Sequence, residues 1–173
     1  VTSTPPVIDG TINAGEYAHA VHDDVTKMDL YWTLSGDTLY MAIHSPGTGW
    51  EAVGIAPDGP MMKGGDILMG YVEDGKAVLE DQYGDTQYTH KMDTDLGGKD
   101  SIISFAGSEN DAGTSLEFER NEKDLDQYDK PINLNGSTFV MLAWADHDNW
   151  TSYHGKDRSI ISVNFTNPEA GSK

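Results

Sequence analysis

Met61 and Met62 stand side by side in a glycine- and proline-rich connection, Pro57-Asp58-Gly59-Pro60-Met61-Met62-Lys63-Gly64-Gly65, between two apolar runs. An apolar side chain in an exposed loop gains no burial. Either this loop folds over one end of the fold and plugs it, or it presents a thioether as a ligand. Thioether sulfur is soft and suits haem iron or copper, and a Met paired with a His suits an electron-transfer haem. Six histidines are available: His19, His22, His44, His90, His147 and His154. The closest pair, His19-x-x-His22, precedes Asp23 and Asp24 and has the residue types of a divalent-metal site. Residues three apart on a strand face opposite sides, however, so the pair reads as a solvated edge. The acidic pairs Asp93/Asp95, Asp124/Asp126 and Asp146/Asp148 offer oxygen ligands of the kind Ca²⁺ takes, but none lies in a complete D-x-D-x-D-G loop. There is no G-x-S-x-G, no P-loop and no G-x-G-x-x-G. A carboxylate pair for glycoside hydrolysis needs only spatial closeness, and nothing singles one out.

The elements that must position these residues read as strands. Leu30, Trp32 and Leu34 alternate with other residues, Ser35-Gly36-Asp37 makes a turn, and Leu39, Met41 and Ile43 alternate again. Further strands are expected over 50–56, 67–72, 77–83, 102–105, 116–120, 139–144 and 158–165, with Gly- and Asp-rich turns between them. Asn121 to Tyr128 is the one stretch that reads as a helical turn or two. Many short strands at regular spacing point to an all-β sandwich.

The chain has 173 residues, which fits a single domain, expected over 7–166 with an N-terminal stalk at 1–6 and a tail at 167–173. Eleven Lys and Arg against 29 Asp and Glu leave a formal net charge of −18. Such a field repels nucleic acid and anionic membrane surfaces, and leaves cations, basic proteins and neutral ligands as partners. No apolar run is long enough to span a bilayer. The absence of Cys excludes disulfides, zinc–thiolate sites, iron–sulfur clusters and haem attached through C-x-x-C-H. The opening Val1-Thr2-Ser3-Thr4-Pro5-Pro6 reads as a stalk, with a signal or anchor expected upstream.

The segment Gly49-Trp50…Gly54, then Met62-Lys63-Gly64-Gly65-Asp66, then Gly70, resembles the DOMON domain family. The resemblance continues through Asp81-Gln82-Tyr83, Phe118-Glu119-Arg120, Asp129, Ala143-Trp144-Ala145 and Tyr153-His154-Gly155, and covers roughly residues 28–166. It implies an immunoglobulin-like β-sandwich of two antiparallel sheets that binds either b-type haem or sugars. In the haem binders a loop Met and a His before the last strand ligate the iron, which carries over to Met62 and His154, with Met61 the competitor for Met62. Haem b would then be held non-covalently at one end of the sandwich among Met, Trp and Tyr side chains. Trp150 and Tyr153 neighbour the His, Trp144 lies close by, and Lys63, Lys156 and Arg158 flank the ligands as partners for the propionates. Trp32 and Trp50 read as core, and Arg120 as the partner of a buried carboxylate, Asp66 or Asp81. The implied function is that of an extracytoplasmic or cell-surface electron-transfer module with a redox partner protein, not itself an enzyme. The opening Val7-Ile8-Asp9-Gly10…Glu16-Tyr17 resembles sugar-binding sandwich modules, which keeps a sugar ligand as the alternative.

Overall fold

A computed structural model describes residues 4–171. The first three residues of the expected stalk and the last two of the expected tail lie outside that range. The strands are β1 (His19–His22), β2 (Asp29–Ser35), β3 (Thr38–Ser45), β4 (Glu51–Ile55), β5 (Asp66–Glu73), β6 (Lys76–Tyr83), β7 (Lys91–Met92), β8 (Ile102–Asn110), β9 (Gly113–Asn121), β10 (Thr138–Trp144) and β11 (Arg158–Val163). They form two antiparallel sheets that pack as a sandwich, ordered β1-β2-β3-β9-β8 and β11-β10-β4-β5-β6-β7.

The β2–β3 hairpin pairs Leu30 with Ile43, Trp32 with Met41 and Leu34 with Leu39, so the alternation places the larger apolar side chains on one face. Gly36 takes the first turn position at φ +61°, as a two-residue type II′ turn requires. That face meets Val53, Ile55, Leu68, Phe118, Val140 and Leu142 in the core between the sheets. Trp32 is fully buried, and its indole N–H donates to the Phe165 carbonyl at 2.9 Å. Trp144 packs against the same core and donates to the Thr26 carbonyl at 2.8 Å.

Two elements depart from the expected pattern. Strand β1 pairs with β2 although its sequence, His-Ala-Val-His, carries almost no apolar signal. Its histidines do diverge: His22 bonds Asp29 at 2.7 Å, while His19 packs on Trp32 with ring centres 5.5 Å apart. The helical turn expected over Asn121–Tyr128 does not form. Side chains take the backbone N–H groups there: Asn121 accepts from Lys123, Asp126 from Tyr128, and Asp129 from Asp126. Such local bonds compete with the helical ladder.

Arg120 is fully buried on β9. It pairs with Asp66 on β5, donates to Glu122 at 2.7 Å and to the Lys130 carbonyl at 2.8 Å, and the Lys130 N–H donates to the same Asp66 oxygen at 2.9 Å. This tie crosses from one sheet to the other. The expected Arg120–carboxylate pair is thereby found, with Asp66 the partner. The N-terminal segment is tied down by a second network. Glu117 accepts from the Gly10 N–H at 2.7 Å, the Asp9 N–H at 3.2 Å and the Tyr17 hydroxyl at 2.9 Å. Asp9, Gly10 and Tyr17 thus serve to anchor the segment to the first sheet.

Candidate cofactor site on the outer face of the second sheet

Every residue of β4 is buried, and so are the first five of β5. Alternation sends Val53, Ile55 and Leu68 into the core between the sheets and sends Ala52, Gly54, Ile67 and Met69 to the opposite face. On that outer face Ala52 sits between Met69 and Ala143, and Gly54 between Ile67 and Met141. Together with Trp50, Met62, Tyr71 and Trp150 they make a second apolar cluster. The centre of its floor is small: a Cβ on Gly54 would lie 2.5 Å from the Met141 methyl carbon. Above this floor lies a cavity of about 410 Å³. The cavity therefore lies on the outer face of a sheet, not at an end of the sandwich as expected. Connections that fold back over the sheet give it its walls.

Two of those walls come from opposite ends of the strands. The loop after β4 leaves from the end where Ile55 pairs with Asp66 and Val140, and it carries Met61 and Met62. The β10–β11 connection leaves from the other end, where Trp144 pairs with Glu51, and it carries Trp150, Tyr153 and His154. All five of these side chains line the cavity. The Met loop is closed by the Asp58 N–H donating to Lys63 O and the Gly65 N–H to Met62 O, each at 2.9 Å. It is pinned to the β6–β7 connection by Gly64 N–H to Gly84 O and Gly84 N–H to Gly65 O, also at 2.9 Å. A Cβ on Gly84 would lie 1.8 Å from the Met62 carbonyl oxygen. Gly84→Ala is accordingly expected to push the Met loop off its seat and to cost about 1–3 kcal/mol, measured by urea unfolding. Gly49 plays the same part for the other wall, since a Cβ there would lie 2.1 Å from the His147 nitrogen. Backbone bonds between Trp50 and His147 and between Ala145 and Trp50, each at 3.0 Å, fasten the start of that connection.

His154 is half-buried, with its ring 4.6 Å from Tyr153 and edge-on to Trp50 at 6.2 Å. Its Nδ1 lies 3.1 Å from the Gly155 carbonyl. That contact assigns the proton to Nδ1 and leaves the Nε2 lone pair for a ligand bond. Burial pushes the His154 pKa down, and the Arg158 charge adds to this, so the neutral form is favoured. Arg158 also lines the cavity, bonds the Tyr153 hydroxyl and lies over its ring at 5.7 Å. Lys63 and Lys156 are exposed and are not part of the lining. Of the three basic residues expected at the site, only Arg158 is there.

Several lining residues gave no sequence signal of their own. Trp50 is buried in an apolar cluster as expected, at 2% exposed, and it also borders the cavity, with its indole N–H lacking an acceptor among the described residues. His90, Gln87 and Tyr88 enter from the β6–β7 connection. His90 bonds the Gln82 side chain, and burial lowers its pKa. The apolar outer-face residues did leave a trace: Ala52-Val53-Gly54-Ile55 and Ile67-Leu68-Met69 are continuous runs, the mark of a strand covered on both faces.

The sequence matches the family model described as the DOMON domain over residues 23–145, a span that holds the Met loop and stops short of His154. DBH-like monooxygenase protein 1 of Gallus gallus is 30% identical over 162 residues, which are 90% of this chain. The chain spans about a quarter (25%) of the length of that curated relative. Among solved structures, the cytochrome b domain of pyranose dehydrogenase from Coprinopsis cinerea superposes with a TM-score of 0.63 at 10% identity, covering 87% of this chain and 86% of that one. The cytochrome domain of Myriococcum thermophilum cellobiose dehydrogenase gives 0.62 at 10% identity, covering 83% and 79%. At such identity the likeness is one of fold.

Proposed function

Because the chain belongs to the DOMON domain family, we propose that it is a b-type haem-binding electron-transfer domain with Met62 and His154 as the axial ligands. The observation that carries this reading is the meeting of a thioether and a neutral imidazole over one apolar cavity, from loops anchored at opposite ends of the sheet. The donor set fits the group. A soft sulfur and an imidazole suit haem iron, and about 410 Å³ falls in the range of roughly 300–1,000 Å³ usual for cofactor sites. Both similar solved structures are by title cytochrome domains.

Bound haem would supply a one-electron couple, and Met62 and His154 would hold it for electron transfer. The remaining roles belong to the chain. Gly155 orients His154 through its carbonyl, Gly54 lets the Met141 side chain lie flat in the floor beside the small Ala52, and Arg158 would offer a charge to a propionate. That last role matters in a chain of net charge −18, where two more carboxylates are unwelcome. With no Cys, the group would be held without a thioether bond to the chain. An acidic surface of this kind would steer a basic redox partner in a salt-sensitive association, in an extracytoplasmic setting. Among the described residues no helix is long and apolar enough to cross a membrane. The domain itself carries no catalytic constellation in this reading.

Carbohydrate binding is the second reading, favoured by Tyr88 and Tyr153 at the cavity, which are 75% and 69% exposed and could stack on a sugar face. Haemin titration of the purified chain separates the two. The haem reading expects a sharp Soret band that saturates at one haemin per chain. A chain that gives no saturable band and is instead retained on a polysaccharide column overturns it.

A further inference from the structure

We infer that the chain holds one Ca²⁺ ion at Asp129, which lies within reach of Asp66 and Asp81 on one side and of Asp93 and Asp126 on the other, at the junction of β5, β6 and the loops preceding β8 and β10. Four segments distant in sequence bring their carboxylates together there. Asp66, Asp81 and Asp129 each place one oxygen within 4.8 Å of the others, and Asp93, Asp126 and Asp129 do the same.

The arrangement of donors is what separates this cluster from an ordinary acidic patch. On Asp81, Oδ2 accepts from the Ser101 N–H at 2.7 Å and the Ser101 hydroxyl at 2.6 Å, while Oδ1 is buried with no partner. On Asp129, Oδ2 accepts from the Asp126 N–H at 2.6 Å, and Oδ1 is buried and bare. Asp66 repeats the pattern, with Oδ2 held by Arg120 and the Lys130 N–H and Oδ1 bare. Asp93 is 0% exposed, and neither of its oxygens has a partner. One oxygen of each of Asp66, Asp81 and Asp129 is thus fixed by protein donors and the other left bare, and both oxygens of Asp93 are bare beside Asp126 and Asp129.

Arg120 compensates Asp66. Among the described residues no ion pair reaches Asp81, Asp93 or Asp129. Buried carboxylates without cations are costly, and a bound metal resolves this where protein charges do not. Burial and mutual repulsion push Asp81 to about 7 and Asp93 to about 8, the direction expected where a countercharge is missing. The donor set is all oxygen, hence hard. Donors drawn from two strands, a 3₁₀ turn (Asp93–Leu96) and an irregular loop suit the looser, higher coordination of Ca²⁺ better than the strict octahedron of Mg²⁺. None of the single Asp pairs visible in the sequence forms this site; Asp93 and Asp126 come to it from two different pairs.

The inference is independent of the haem reading and is tested on the colourless chain. The protein is stripped with EDTA, exchanged into chelator-free buffer, and titrated with CaCl₂ by calorimetry, with thermal unfolding followed in parallel and MgCl₂ as comparison. The expected result is saturable binding of one Ca²⁺, a melting temperature that rises with Ca²⁺ and saturates, and a smaller rise with Mg²⁺. Asp93→Asn is expected to weaken Ca²⁺ binding at least tenfold, yet to melt higher than the wild type in EDTA, because one uncompensated carboxylate is gone. A merely structural Asp93 would lower both. Asp81→Asn serves the same purpose if Asp93→Asn does not fold, and exposed Asp146→Asn should leave the response unchanged. A wild-type chain that shows no binding heat and the same melting temperature in EDTA and in millimolar Ca²⁺ overturns the inference, as does a full Ca²⁺ response in Asp93→Asn.

Discussion

Haem-loaded His154→Ala is expected to lose the six-coordinate low-spin spectrum and to bind haemin at least roughly 100-fold more weakly than the wild type. Loss of an orienting partner alone costs about 10–100-fold at metal sites, so loss of the ligand itself should cost no less. The ring is seated between Trp50 and Tyr153 with Nδ1 on the Gly155 carbonyl, and no other imidazole on the β10–β11 connection lines the cavity. Met62→Ala should change the spectrum in the same way, whereas Met61→Ala should leave it intact. The two methionines differ in their surroundings: Met62 packs into the outer-face cluster with Trp50, Ile67 and Met69, and Met61 is not part of it. Absorption spectra of the three variants after haemin loading decide the matter. A normal spectrum in Met62→Ala with a broken one in Met61→Ala would shift the ligand by one residue. A normal spectrum in His154→Ala would remove it from the iron.

Arg120→Met should be the most destabilising single change outside the apolar core. The guanidinium makes every one of its bonds inside the protein, to Asp66, Glu122 and the Lys130 carbonyl, and neither it nor Asp66 has any exposed surface. The nearby carboxylates raise its pKa, so the guanidinium is charged at all ordinary pH, while burial pushes the Asp66 carboxyl up against the pull of Arg120. Removing one partner leaves an uncompensated buried charge, which costs about 3–5 kcal/mol. For a domain of this size that is a fall in melting temperature of about 10 °C or more. Arg120→Met combined with Asp66→Asn should recover part of the loss, because the stranded charge goes with it. Denaturant unfolding of the single and double variants measures both. Equal stability of the single variant and the wild type would mean that the tie between the sheets contributes nothing.

The fold was legible wherever one face of a strand is buried and the other is wet. Leu30, Trp32 and Leu34 announce their strand by alternation, and Arg120, a charge within an apolar strand, announces a buried partner. β1 was not legible because its pairing depends on β2 rather than on its own residues. For the site, Met62 and His154 were legible as ligand types through the family resemblance, but the location of their cavity was not. It depends on how two loops fold back over the sheet. That is decided by close backbone approaches at Gly49 and Gly84, between residues far apart in the chain. His90 at the cavity and the convergence of Asp66, Asp81, Asp93 and Asp126 on Asp129 escaped for the same reason, since neither carries a local spacing signature. Lys63 shows the converse error: adjacency to Met62 in sequence did not bring its side chain to the cavity.

The most direct measurement is the iron K-edge X-ray absorption spectrum of the haem-loaded wild-type chain. Ligation by Met62 and His154 predicts an iron shell of five nitrogens and one sulfur, with the sulfur contribution absent in Met62→Ala. A shell without sulfur, such as the six nitrogens that His90 together with His154 would give, would contradict it.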